Sequence, residues 1–157
     1  MDYMKIPEKF YQFRNEKALI IVSGTERAEI FACSNGEMEN IGSVAAEKLK
    51  YSDKEASYIG KEGLFRGGSI LDDVNEKERK GFLELLGKEY GKLKSGGYDY
   101  VALTAPKGSI SEIIDSLGIA KGEVERKIRV IKEGNFLHYS SEELLELISD
   151  ALAPLAG

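Results

Sequence analysis

The fold is decided by residues 18–36, whose sequence is ALIIVSGTERAEIFACSNG. The run begins with an uninterrupted apolar stretch, which is typical of a buried strand. After a polar turn at 23–26, the residues from 27 to 33 have the two-residue alternation of a second strand. Asn35-Gly36 then matches the strongest short-range signal for a type I′ hairpin turn. The stretch therefore predicts an antiparallel meander whose third strand contains Met38, Ile41 and Val44.

Residues 74–94 have the 3.6-residue period of a long amphipathic helix. Its apolar face is predicted to contain Phe82, Leu85, Leu86, Tyr90 and Leu93. Gly81, Gly87 and Gly91 interrupt this helix, and each costs about 1 kcal/mol of helix stability relative to alanine. We therefore expect close packing of the helix on the sheet at these glycines.

Strands and helices alternate in the rest of the chain. Residues 98–105 and 126–131 are strand candidates, and 109–112 have the capping-box form that starts a helix ending at Gly118. A second such form at 140–143 starts the last helix. Alternation of this kind is typical of parallel strands covered by helices. We predict an α/β (α+β) fold, in which the meander leads into helix-covered parallel strands of one mixed sheet.

The chain of 157 residues suits a single domain at 17–157 preceded by an N-terminal arm at 1–16. Pro7 is suited to the first position of a short helix in this arm. Two interpretations of the arm remain open: it packs on the domain, or it binds a protein partner. Both follow from its six large apolar side chains, Tyr3, Met4, Ile6, Phe10, Tyr11 and Phe13.

Charge and cysteine content exclude several classes of protein. With 22 basic and 27 acidic residues the net charge is −5, so the chain does not coat nucleic acid by bulk attraction, and any RNA contact must be local. Cys33 is the single cysteine, which predicts a small core residue and a cytoplasmic protein. No apolar run approaches the ~20 residues of a membrane span, so no membrane partner is expected.

The residues that could support catalysis or metal binding are few and dispersed. His138 is the single histidine, and no metal-ligand spacing, Walker loop or Gly-x-Gly-x-x-Gly motif occurs. We therefore expect no metal and no cofactor. A serine hydrolase would require Ser69 and His138 to meet, and the Gly-x-Ser-x-Gly sequence of a nucleophile elbow is absent.

Two stretches are candidate contact sites. Residues 45–73 have no regular period and contain Arg66, Gly67, Gly68 and Ser69. Adjacent glycines expose backbone N–H groups, which suits the tip of a loop that contacts a phosphate or another backbone, although they also suit a simple flexible turn. The second stretch contains possible phosphate contacts that equally suit a solvated strand edge, namely Arg126, Lys127 and Arg129.

The order of elements supports a resemblance to a known family. After the meander come the Arg-Gly-Gly-Ser loop at 66–69, the long helix through 76–79, the strand at 100–105 and the strand containing 129–131. In this order the chain resembles the central domain of archaeal and eukaryotic class-1 peptide-chain release factors. It resembles more closely their bacterial relatives, called host-attachment proteins. The resemblance covers residues 17–152 and implies a ribonuclease H-like sheet.

The resemblance implies a ribosome- or tRNA-associated translation factor, with a rescue, hibernation or release-like role and residues 60–73 as its contact tip. In the release factors this loop contains Gly-Gly-Gln, which helps water attack the peptidyl-tRNA ester. Gly67 and Gly68 match the glycines, whereas Ser69 stands where the glutamine belongs. Because the glutamine is replaced and the stop-codon-recognition domains have no counterpart here, stop-codon-directed termination is not expected.

Whether the protein is an enzyme stays open at this point. Any hydrolysis implied by the resemblance would be metal-independent cleavage of the peptidyl-tRNA ester. Two other classes of function also remain open. One is a non-catalytic protein-interaction module of the host-attachment type, and the other is a hydrolase that uses Ser69 and His138.

Overall fold

The computed structural model describes residues 3–46 and 75–156. Its strands are β1 (Tyr3–Lys5), β2 (Lys17–Ser23), β3 (Arg27–Ser34), β4 (Glu37–Ala45), β5 (Tyr100–Ala105) and β6 (Ile128–Glu133). Its helices are α1 (75–93), α2 (Ile110–Leu117), α3 (Val124–Lys127) and α4 (Ser141–Ala156). The strands form one sheet in the order β1-β4-β3-β2-β5-β6.

The predicted fold class is confirmed. Strands β2, β3 and β4 form the antiparallel meander, while β5 and β6 extend the sheet in parallel from β2. Asn35 and Gly36 have φ angles of 45° and 78°, the pair of positive values that a type I′ turn requires. In this order β1 is the outer strand beside β4, and β6 is the outer strand on the other side.

A hydrophobic core lies on each face of the sheet. On one face α1 and α2 contribute Phe82, Leu86, Tyr90, Ile113 and Leu117, which pack with odd-numbered residues of β2 and β5 such as Leu19 and Val101. On the other face α4 packs with the N-terminal segment, through Leu144, Leu145, Ile148, Leu152, Ile6, Phe10 and Phe13. The central strands are buried on both faces, which explains their continuous apolar sequences.

The N-terminal arm differs from its predicted form. Residues 3–5 pair with β4, and no helix starts at Pro7. The side-chain amide of Gln12 donates to the carbonyls of Ile6, Pro7 and Phe10. In a helix these carbonyl oxygens would accept hydrogen bonds from backbone N–H groups. The arm therefore packs on its own domain as a strand and an irregular turn.

The long helix matches its predicted range, with two corrections to its faces. Leu85 is 42% exposed, so it does not belong to the buried face. Of the three glycines, only Gly87 lies in a tight contact: an added Cβ would lie 2.3 Å from the carbonyl oxygen of Ser116. That contact joins α1 to α2 and not to the sheet. Around Gly81 and Gly91 the space within 4 Å is open.

Candidate functional site

The carboxyl ends of β2, β5 and β6 lie along one edge of the sheet, which we call the carboxyl edge. Val22 is in register with Thr104, and Ala105 with Glu133. In sheets with parallel strands, ligands commonly bind at such an edge. The Thr104 hydroxyl is fully buried and has no hydrogen-bond partner in the described part of the chain.

Arg79 joins three elements at one corner of this edge. From α1, its Nη1 donates to the Thr25 carbonyl in the β2–β3 turn at 2.6 Å. Its Nη2 donates to the Ser109 hydroxyl and its Nε to the Glu112 carboxylate, each at 3.0 Å, both near the start of α2. The guanidinium therefore holds the beginnings of α1 and α2 against the meander.

This arrangement corrects the predicted capping box at residues 109–112. Ser109 occupies the N-cap position of α2, but its side chain makes no capping hydrogen bond. Its hydroxyl and the Glu112 carboxylate both bind Arg79 instead. A charged donor forms stronger hydrogen bonds than a backbone amide, which accounts for the exchange of partners. The second predicted box is confirmed, because Ser140 and Glu143 bond each other's backbone N–H groups reciprocally.

The predicted contact tip at Arg66, Gly67, Gly68 and Ser69 lies outside the described residues. Described residues on either side of 47–74 contact the β2–β3 turn. The Ala46 N–H donates to the Glu26 carbonyl at 2.7 Å, and Arg79 bonds the neighbouring residue Thr25. Ala46 and Arg79 therefore both lie at this turn, on the carboxyl edge.

His138 is exposed in the loop between β6 and α4, which leaves the same edge of the sheet. Its ring packs edge-to-face on Tyr139, with 5.1 Å between the ring centroids. No hydrogen bond joins this ring to another residue within 3–46 or 75–156. Glu143 interacts electrostatically with His138, but its carboxylate accepts the backbone N–H of Ser140 and not a histidine N–H.

The three predicted phosphate contacts do not form one cluster. Arg126 and Lys127 belong to α3, so the strand begins two residues later than predicted. Both side chains line a pocket on the α1/α2 face of the sheet. Arg129 instead lies over the ring of Tyr100, which belongs to the core on the α4 face, and pairs with Glu16.

The pocket has a volume of about 520 Å³ and lies at the opposite edge of the sheet from Arg79. It is bounded by the carboxyl ends of α1 and α2 and by the first residues of β5. Apolar side chains form its floor, and three tyrosines, Tyr90, Tyr98 and Tyr100, also line it. The floor residues include Leu19, Val101, Leu117 and Ile119.

Positive charge surrounds the pocket. Lys94, Arg126 and Lys127 line it, and Glu123, which pairs with Arg126, is the one acidic residue of the described lining. Burial raises the pKa of the Tyr90 hydroxyl, and burial followed by the nearby Glu39 raises that of Tyr98. Both hydroxyls therefore stay neutral near pH 7. Sequence reasoning missed this pocket, because Lys94 and Tyr98 are separated from α3 by more than 20 residues and no local pattern joins them.

The described residues lack two features that bear on metal binding and membranes. Within 3–46 and 75–156 no group of three or more His, Cys, Asp or Glu side chains is placed to hold a metal ion. In the same ranges no helix has both the length and the apolar character that crossing a membrane demands.

Comparisons with known proteins add little to this geometry. No protein-family model matches the chain, and no curated protein matches it. Among solved structures the chain is similar to the Aquifex aeolicus PPX-GPPA enzyme, with 12% sequence identity and a TM-score of 0.35. The match covers 76% of this chain and 36% of that one, so the chain spans about a third of that enzyme.

Proposed function

We propose that this protein is a cytoplasmic translation factor that associates with the ribosome or tRNA, in a rescue, hibernation or release-like role. Its contact tip would be the loop with Arg66, Gly67, Gly68 and Ser69. The observation that supports this best is the position of Ala46 and Arg79, two described residues on either side of 47–74, which both bond the β2–β3 turn at the carboxyl edge. Binding residues are often found on loops that a packed domain positions.

The chemistry of the loop suits a local contact with RNA. Two adjacent glycines allow the backbone to approach a phosphate closely, and Arg66 supplies a positive charge beside them. A local contact is needed because the chain as a whole has a net charge of −5. Ser69 replaces the glutamine of the release factors, so the proposal is for binding first. If an ester is cleaved, water would be the nucleophile and the glycine backbone would position it.

The proposal is tested by cosedimentation of the protein with ribosomes from a cell lysate. We expect Gly67→Ala/Gly68→Ala to abolish cosedimentation, because the added Cβ atoms restrict the backbone and block close approach. The matched control is Gly81→Ala/Gly91→Ala, which makes the same chemical change where the structure has open space. Thermal melts of both variants control for folding. Full cosedimentation of the loop variant, or none for the wild type, would contradict the proposal.

A second assay separates binding from hydrolysis. Cleavage of peptidyl-tRNA is measured for the wild type, Ser69→Ala and His138→Ala. We expect Ser69→Ala to matter less than the double-glycine variant and His138→Ala to have no effect. Loss of cleavage in both single variants would favour the serine hydrolase instead.

An interaction protein acting through the N-terminal arm is the less favoured alternative. Ile6, Phe10 and Phe13 are buried on the protein's own sheet, so these side chains are not free for a partner. Tyr3 is 47% exposed on the outer strand and is the most exposed of the arm's six large apolar side chains. Normal ribosome binding by Tyr3→Ala would agree with the translation-factor proposal.

A further inference from the structure

We propose that the pocket at the edge of the sheet opposite to the carboxyl edge binds a small aromatic molecule that has a phosphate group, with a nucleoside monophosphate as the representative ligand. The proposal does not depend on the proposed function. The pocket lies at the end of the sheet opposite to Arg79, and none of the residues that carry the argument belongs to that corner. Three properties of the pocket carry it: size, an apolar and aromatic interior, and local positive charge.

Size and lining match a ligand of this class. Small-molecule sites commonly have volumes of about 300–1,000 Å³ and a mainly apolar lining with a few polar groups. This pocket has about 520 Å³, which accommodates a mononucleotide. Leu19, Val101 and Leu117 are at most 4% exposed and form a fixed apolar floor.

The aromatic wall is held in place before any ligand arrives. The Nζ atom of Lys17 lies 4.8 Å from the centroid of the Tyr98 ring and donates to the Gly96 carbonyl at 2.6 Å. An added Cβ on Gly96 would lie 2.8 Å from the Tyr98 ring, so the ring is packed directly on that backbone. These contacts order the Tyr98 ring in advance, so an aromatic ligand that packs on its remaining surface need not immobilise it.

The charge of the lining selects an anion. Lys94, Arg126 and Lys127 contribute three positive charges, and Glu123 neutralises one of them. The remaining surplus is opposite in sign to the net charge of the whole chain, so it is a local feature. Two helices end at this pocket, and their carboxyl ends carry partial negative charge. A phosphate must therefore be held by these side chains and not by helix backbone.

The test uses the full chain and three probes: adenosine 5′-monophosphate, adenosine and inorganic phosphate. Binding is followed by amide chemical shifts in NMR and by calorimetry. We expect the nucleotide to bind about tenfold more tightly than either half alone, because both halves of the pocket are then used. The shifted amides should cluster at residues 95–98, 118–120 and 127.

Two variants locate the site. Arg126→Gln/Lys127→Gln removes two exposed or half-buried charges and should weaken nucleotide binding about tenfold, because charge-assisted hydrogen bonds are lost. Ala120→Trp places a large side chain at an exposed, extended position of the lining and should block the pocket without changing the core. The control Lys107→Gln/Lys132→Gln removes two positive charges outside the pocket lining and should bind as the wild type does.

Each other result overturns the proposal. No shift with about 5 mM nucleotide shows that the charges only stabilise the helix ends. If adenosine binds as tightly as the nucleotide, the basic side chains do not recognise a phosphate. If inorganic phosphate binds as tightly as the nucleotide, the aromatic and apolar lining does not recognise a ring. Shifts outside the pocket, or binding unchanged in Ala120→Trp, place the ligand elsewhere. Ribosome cosedimentation of the pocket variants is measured separately, so this proposal and the proposed function fail independently.

Discussion

The guanidinium of Arg129 lies 4.3 Å from the centroid of the Tyr100 ring. Its Nη1 atom is also 3.8 Å from the Glu16 carboxylate, which accepts hydrogen bonds from the hydroxyls of Tyr100 and Tyr11. This group of four side chains connects the N-terminal segment to β5 and β6. Arg129 is held in this group and is not part of the pocket lining, although Tyr100 is.

Replacing Arg129 by alanine should lower the free energy of unfolding by about 1 kcal/mol, since a cation–π contact and a partly buried ion pair are both removed. Glu16 is only 15% exposed and would lose its counter-charge. The measurement is urea unfolding. Arg126→Ala is the matched control, because that side chain is 72% exposed and pairs with Glu123 at the surface. Equal stability of the two variants would show that the group around Tyr100 is not structural.

Truncating Leu86 to alanine should cost about 2–5 kcal/mol, because the side chain is fully buried between α1 and the sheet. Its chain neighbour provides the comparison. Leu85 is 42% exposed, so Leu85→Ala should change stability by no more than about 0.5 kcal/mol. Both values come from denaturant unfolding curves. A near-neutral Leu86→Ala variant would mean that the buried face of α1 is misplaced.

Gly87→Ala should destabilise the protein even though alanine favours helices. The new Cβ would lie 2.3 Å from the Ser116 carbonyl oxygen, so α1 and α2 would have to separate. Gly91→Ala in the same helix meets open space and should raise stability by up to about 1 kcal/mol. Thermal melts distinguish the two. A stabilised Gly87→Ala variant would contradict the close approach of the helices.

Thr104→Val should stabilise the protein by about 1 kcal/mol or more, because it replaces a buried hydroxyl that lacks a partner in the described structure. Ser23 is equally buried, but its hydroxyl donates to the Gly24 carbonyl at 2.9 Å. Ser23→Ala should therefore destabilise the protein by about 1 kcal/mol. Unfolding curves for the two variants would have to shift in opposite directions. A destabilised Thr104→Val variant would indicate that the hydroxyl is satisfied.

The thiol of Cys33 should make stability depend on pH in the alkaline range. Burial raises its pKa from 9.0 to about 12, because the thiolate is disfavoured in the core. The unfolded chain loses this proton first. The contribution of the neutral thiol to the free energy of unfolding is therefore complete below pH 9 and is lost as the pH rises towards 12. The stability difference between the wild type and Cys33→Ala should shrink over this window.

A thiol reagent provides an independent check on Cys33. At neutral pH the native protein should not react, whereas the urea-unfolded protein should react fully. Reaction of the native protein at the rate of a free thiol would show that Cys33 is accessible. In the alkaline stability measurement, the comparison with Cys33→Ala removes the contribution of the tyrosines, which also ionise at high pH.

Most of the architecture could be predicted because it depends on local patterns. The meander, α1 and β5 follow from periods of 2 and 3.6 residues, and the turn at Asn35-Gly36 follows from the φ angles that these two residues tolerate. The prediction of an N-terminal helix was wrong for a reason that lies outside the sequence around Pro7. The Gln12 side chain donates to the carbonyls of Ile6 and Phe10, and both side chains are buried on the sheet, so this arrangement is more stable than a short helix.

The candidate sites depended on contacts between distant residues. The sequence by itself determined the order and type of the elements, together with a central sheet buried on both faces, because each depends on neighbours within a few positions. Only the tertiary structure decided that Arg79 would bond Thr25, 54 residues away, in place of a local cap. It also placed Arg126 in the pocket lining and Arg129 in the group around Tyr100 and Glu16. Pairings of this kind have no period along the chain, since they arise where the folded elements meet.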